Sequence, residues 1–140
     1  MDLKRRSKQR IFDYAVRHTI KQGQPGAVIL SPVFDPADPT APLDGGLSVC
    51  QYWNKDSHCR CTIGFLLDNP TCRTGTVNSQ QDLAYLSRKK MALLVDLQVA
   101  HDNSASVGET WKKSANPNFV ADFKTRAAYV AGKHGLKWNF

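Results

Sequence analysis

The residues best equipped for chemistry crowd into one run, residues 50–64, which reads Cys-Gln-Tyr-Trp-Asn-Lys-Asp-Ser-His-Cys-Arg-Cys-Thr-Ile-Gly. It holds three of the four cysteines, one of the four histidines and two large aromatics. Thiolate and imidazole are the donors that zinc prefers. Cys50, His58, Cys59 and Cys61 therefore form a candidate zinc set, the one cofactor the sequence offers. Their spacing is poor for it: structural zinc sites use two pairs of ligands about two to four residues apart, and no such pair of pairs exists here. The competing reading is that the cysteines are small buried hydrophobes, a common state for free Cys.

Nucleophilic catalysis is a second chemistry. A thiol activated by an imidazole, with an acid to orient the ring, is a known constellation. Cys61, His101 and Asp102 supply the three types. Asp102 is an awkward orienter, because neighbouring helical residues point about 100° apart. Gln98, one turn earlier, shares a face with His101 and offers an amide instead. The structural alternative is that His101 closes a helix and packs.

The third is recognition. The chain carries 19 Lys and Arg against 12 Asp and Glu, a formal net charge of +7. Such a balance suits nucleic acid, an anionic membrane surface or an acidic protein partner, and equally a protein that simply carries a solvated basic surface, without dictating a fold. The basic clusters are Lys4-Arg5-Arg6, Arg88-Lys89-Lys90, Lys112-Lys113 and Lys124 with Arg126. Trp111 adjoins one of them, and Tyr52 and Trp53 lie in the cysteine-rich run. Cations hold phosphates and aromatics stack on bases. Arg88, Lys89, Lys90, Trp111, Lys112, Lys113, Tyr52 and Trp53 are the candidate binding residues, although no helix-turn-helix or RNP signature accompanies them.

The elements that must position these side chains follow from pattern. With 140 residues the chain fits one domain with a real core. Ile11, Phe12, Ala15, Val16, Thr19 and Ile20 recur at helical spacing and predict a helix over 8–22, stopped at Gly23. Its opposite face carries Arg10, Asp13, Arg17 and Lys21. Residues 1–7 read as a basic, flexible N-terminus. Residues 27–30 are a short apolar run, read as a strand.

Pro32, Pro36, Pro39 and Pro42 then predict an irregular surface loop over 31–46, because Pro removes backbone donors. Alternation from Cys59 to Leu67 argues for a β-hairpin near residues 47–67. A short helix opening at Cys61 competes with it. A capping-box pattern at Ser79 and an apolar series from Leu83 to Val99 predict helix as far as His101, stopped at Asp102-Asn103-Ser104, with two helices broken near 87–90 as the alternative. Asn116-Pro117 reads as an N-cap and first helical residue, and Gly135 as the stop of the last helix. The sum is an α+β domain, three to four helices on a small antiparallel sheet.

No apolar stretch reaches the length of a membrane span, so no membrane partner is expected. The basic start runs into an amphipathic segment, which is not the pattern of a secretory signal. The expectation is a cytosolic protein with reduced thiols.

The order of motifs resembles a loose group of uncharacterised small proteins encoded by phages and prophages. Their pattern appears here as Cys50-Gln51-Tyr52, Cys61-Thr62-Ile63-Gly64, Leu97-Gln98-Val99-Ala100-His101-Asp102, Trp111 and Gly135-Leu136. Cys59, Cys72 and the long Pro-rich loop depart from it, which turns attention to Cys50, Cys61 and His101. The resemblance implies an accessory protein that works in the host cytosol. Its partner would be a host protein, including defence machinery, or nucleic acid.

Overall fold

The computed structural model describes residues 1–29, 33–35, 38–44, 48–55, 57–71, 73–107 and 114–140. Among these residues, three α-helices and several short strand pairs make up a small α+β fold.

Helix α1 spans Lys8–Gln22. The Ser7 hydroxyl accepts the Arg10 amide at 3.3 Å, satisfying one of the donors a helix start leaves free. Ile11, Phe12, Ala15, Val16 and Thr19 form its buried stripe, as their spacing predicts. Helix α2 spans Arg88–Ala105, with Ser87 accepting the Lys90 amide. Two 3₁₀ turns, Val77–Ser79 and Gln81–Leu83, precede it, so the helix expected from the capping-box pattern at Ser79 starts only at Arg88, where Ser87 supplies the cap, and it runs through residues 102–104 to Ala105.

Helix α3 spans Phe119–Lys133. Its N-cap is Asn118, not Asn116. The Asn116 side chain instead accepts the Asn118 amide and donates to the Ser104 carbonyl and the Asp122 carboxylate. That bracket ties the end of α2 to the start of α3 and leaves Pro117 outside the helix. At the far end the Gly135 amide bonds the Gly132 carbonyl and the Leu136 amide the Ala131 carbonyl. With Gly135 at φ 66, this is a Schellman stop.

The strands are β1 (Ala27–Ile29), β2 (Val33–Asp35), β3 (Asp38–Asp44), β4 (Ser48–Cys50), β5 (Trp53–Asn54), β6 (Cys59–Arg60), β7 (Ser106–Val107) and β8 (Ser114–Ala115). They pair antiparallel as β1–β4, β2–β3, β5–β6 and β7–β8. Among the described residues they stay four separate two-stranded pairs, not one sheet under the helices. The core gathers the buried faces of the three helices, with Phe12, Leu93, Leu94, Leu97, Phe123 and Ala127, and takes in Tyr52, Ile63 and Leu66 from outside them.

Three expectations change. Residues 31–46 are not irregular throughout: β2 and β3 pair, with register shifts at Phe34 where the ladder meets a proline-bearing strand. The N-terminal segment is docked, not free. Leu3 is buried, the terminal amine pairs with Asp68, and Lys90 Nζ donates to the Leu3 and Lys4 carbonyls.

Third, the hairpin near 47–67 shrinks to β5 and β6. Residues 48–50 pair with β1, and after Cys61 the chain coils through a 3₁₀ turn, Gly64–Leu66. Close approach forces this turn. A Cβ on Gly64 would sit 1.9 Å from the Tyr52 carbonyl oxygen, so only glycine permits the crossing.

Candidate functional site

His101 projects from α2 into the core and is fully buried. Its Nδ1 lies 2.9 Å from Asp102 Oδ1, and its Nε2 accepts the Gly26 amide at 3.1 Å. An acceptor at Nε2 places the proton on Nδ1, donated to Asp102. Phe119 packs edge-on against the ring at 5.6 Å. Asp102 thus does reach its neighbour's ring, against the expectation from helical geometry. Nε2 is spent on a backbone N–H and is closed to solvent.

Gly26 is held on three sides. Its carbonyl accepts the Gln51 amide, and a Cβ on it would lie 2.2 Å from the Cys61 nitrogen. No hydrogen bond joins Cys61 to His101. The Cys61 sulfur accepts the Gly64 amide at 3.3 Å within a buried turn.

Gln98 is engaged elsewhere as well. Its Oε1 accepts the Val77 amide at 2.8 Å and its Nε2 donates to the Gly75 carbonyl at 2.9 Å. One face of α2 therefore clamps two loops by their backbones, residues 75–77 through Gln98 and residue 26 through His101. The Leu-Gln-x-x-His-Asp segment acts here as a fold clamp.

Among the described residues, the candidate ligands His58, Cys59 and Cys61 do not converge with a further ligand. Cys59 is buried with its sulfur against the Gln24 Oε1 and the Ser57 carbonyl, while His58 is exposed at a turn with φ 57. Among the described residues no three His, Cys, Asp or Glu gather around a point. Cys59 and Cys61 are free thiols. The Cys50 side chain and Cys72 lie outside the described residues.

The candidate binding residues separate. Tyr52 is fully buried, its hydroxyl donating to the Gly75 carbonyl and its ring lying 5.0 Å from the Arg73 guanidinium, so it offers no stacking surface. Trp53 is half-buried. Arg88 and Lys89 are exposed, whereas Lys90 is the clamp on the N-terminal segment. Trp111, Lys112 and Lys113 lie outside the described residues.

A basic face on α1 emerges in their place. Arg6, Arg10, Arg17 and Lys21 are exposed and make no ion pair among the described residues. Positions 10, 14, 17 and 21 follow the three- and four-residue steps of one helical face. Tyr14 stands among them, more than a third exposed. Its ring meets His18 at 4.2 Å, and His18 meets Phe65 at 5.5 Å. Burial, and then the charges of Lys21 and Arg17, hold His18 below the ordinary histidine pKa. The ladder is therefore neutral at pH 7. A concavity of about 360 Å³ beside Tyr14 is lined by Arg6, Arg10 and Arg17, with Asp13 and Met1. The same periodicity that marks the buried stripe carries this signal on the opposite side.

No family model, curated protein or solved structure matches this chain. Its function must be argued from its own residues. No helix of the described residues is long and apolar enough to cross a membrane.

Proposed function

We propose that this chain is a phage- or prophage-derived accessory protein that binds single-stranded nucleic acid through the outer face of α1. The observation that carries the binding reading is the row of uncompensated cations at Arg6, Arg10, Arg17 and Lys21, with the Tyr14–His18–Phe65 ring ladder beside it. Cations along a helix track a phosphate backbone, and aromatic faces stack on unpaired bases of any sequence. Single strands suit this arrangement because their bases are free to reach the rings. The phage assignment rests on the resemblance in motif order.

The Cys61/His101 enzyme reading lacks comparable support. It needs a free ring nitrogen next to a thiolate, and both groups are occupied by backbone amides. An acidic host protein is the alternative occupant of the basic face.

Fluorescence anisotropy with labelled single-stranded and duplex oligonucleotides tests the proposal. Four phosphate contacts predict a slope of log K against log salt of roughly −3 for single strands. Replacing Arg10 and Arg17 together by Gln should flatten that slope by about 1.4. Tyr14→Ala should weaken single-strand binding by about tenfold, with a smaller effect on duplex. No binding at low salt would overturn the nucleic-acid reading and leave the protein partner.

A further inference from the structure

Helices α2 and α3 run antiparallel. The Asn116–Ser104 bond joins them at one end and the Asp96 pairs with Lys133 and His134 join them at the other. Between these ties, on the outer side, lies a cleft of about 330 Å³. Its middle is apolar, formed by Ala100 and Val130 with Val99 and Tyr129. Val99 is 50% exposed and Tyr129 75%, a large solvent exposure for two apolar-faced side chains that converge on one groove.

The two ends of the cleft differ in charge. At one end Lys133 is neutralised by Asp96 at 3.0 Å. At the other end lie Asn103, Thr125 and Arg126. Arg126 is exposed and has no ion pair among the described residues. Asp122, one turn before it, is committed to Asn116. The cleft is thus an apolar slot with, at a single end, one guanidinium that makes no ion pair among the described residues and two neutral polar groups.

We propose that this cleft is a binding site for a small amphipathic carboxylate with an aromatic or branched aliphatic body. The body lies between Val99 and Tyr129, and the carboxylate meets Arg126. Arg presents a planar fork of donors that matches a carboxylate, which makes the anion end specific. Size argues for a small molecule over a protein. The volume falls at the lower end of ligand pockets, about 300 to 1,000 Å³. Stable protein interfaces bury about 800 Å² per partner, and among the described residues Val99 and Tyr129 are the exposed large hydrophobics lining this cleft.

The test uses three probes of one shape: 3-phenylpropionate, 3-phenylpropanamide and 3-phenylpropylamine. Each is titrated into the full chain while the methyl NMR signals of Val99 and Val130 are followed. The acid should shift both residues and bind about tenfold more tightly than the amide or the amine. Arg126→Gln, at an exposed helical position, should abolish that preference while apolar binding persists. Val99→Lys should block all three probes. Equal binding of the three, a preference that survives Arg126→Gln, shifts centred away from the cleft, or no shift with any probe would each overturn the proposal. Oligonucleotide binding by the same variants keeps the result separate from the α1 reading, because the cleft lies on the other two helices.

Discussion

His101 and Cys61 look alike in sequence, as a base and a nucleophile, and the structure gives both to the backbone. Burying a ring nitrogen or an amide without a partner costs about 1–3 kcal/mol, so a clamp of this kind has real value to the fold. His101→Ala removes the acceptor of the Gly26 amide and opens a cavity against Phe119. It should destabilise the protein by roughly 3 kcal/mol. Urea denaturation reads the loss, and amide hydrogen exchange at Gly26 should accelerate more than that of the α3 centre. The Cys61 thiol is 1% exposed and Cys59 6%. Both should resist iodoacetamide at pH 8 in the folded protein and react fully in denaturant, read by mass spectrometry. Rapid labelling of Cys61 in the native state would revive the enzyme reading.

At the scale of elements, glycine positions separate two opposite outcomes. Gly64→Ala drives a methyl group into the Tyr52 carbonyl and should cost on the order of 3 kcal/mol or more. Gly132 sits on α3 with open space around its Cβ position, so Gly132→Ala should stabilise by about 0.5–1 kcal/mol. Urea midpoints of the two variants should move in opposite directions.

The same elements mark what was legible in the sequence. The bounds of α1 and the stop at Gly135 follow from periodicity and capping, which are local, whereas the capping-box pattern at Ser79 misplaced the start of α2, which opens at Arg88 behind Ser87. The turn after Cys61 was legible only as the alternative to the hairpin, a short helix opening at Cys61, and Gly64 meeting Tyr52, a contact of the tertiary fold, decides for it. Tyr52 as a stacking residue failed for the same reason: adjacency to Trp53 carries no information about which ring faces the core. The basic face of α1 was present as Arg10, Arg17 and Lys21 on the polar side of the helix. Only the three-dimensional placement of Tyr14, His18 and Phe65 gave it a shape.

Across the whole molecule, the ends of the chain are tied to the middle by polar contacts that respond to acid. Asp96 on α2 accepts from His134 Nε2 at 2.7 Å and from Lys133 Nζ at 3.0 Å, and so holds the end of α3. Lys8 and Gln9 then bond the His134 and Lys137 backbone, fastening the C-terminal segment to α1. Burial pushes the Asp96 carboxyl up, but the hydrogen bonds from His134 and Lys133 outweigh it and hold its pKa below the ordinary carboxylate value of 3.8. A carboxylate with a lowered folded pKa stabilises the fold above its unfolded pKa. That contribution fades as pH falls through 3.8 toward the folded value. His18, whose folded pKa lies below 6.5, acts in the same direction at higher pH. The unfolded chain takes up its proton first, so stability declines as pH falls below 6.5. Stability should therefore fall in two steps on acidification. His18→Phe should reduce the decline below pH 6.5, and Asp96→Asn should flatten the one below pH 4 while lowering stability at pH 7 by about 1–2 kcal/mol. Thermal melts between pH 3 and pH 8 check both. A wild-type profile unchanged between pH 7 and pH 5 would show that His18 contributes no pH dependence.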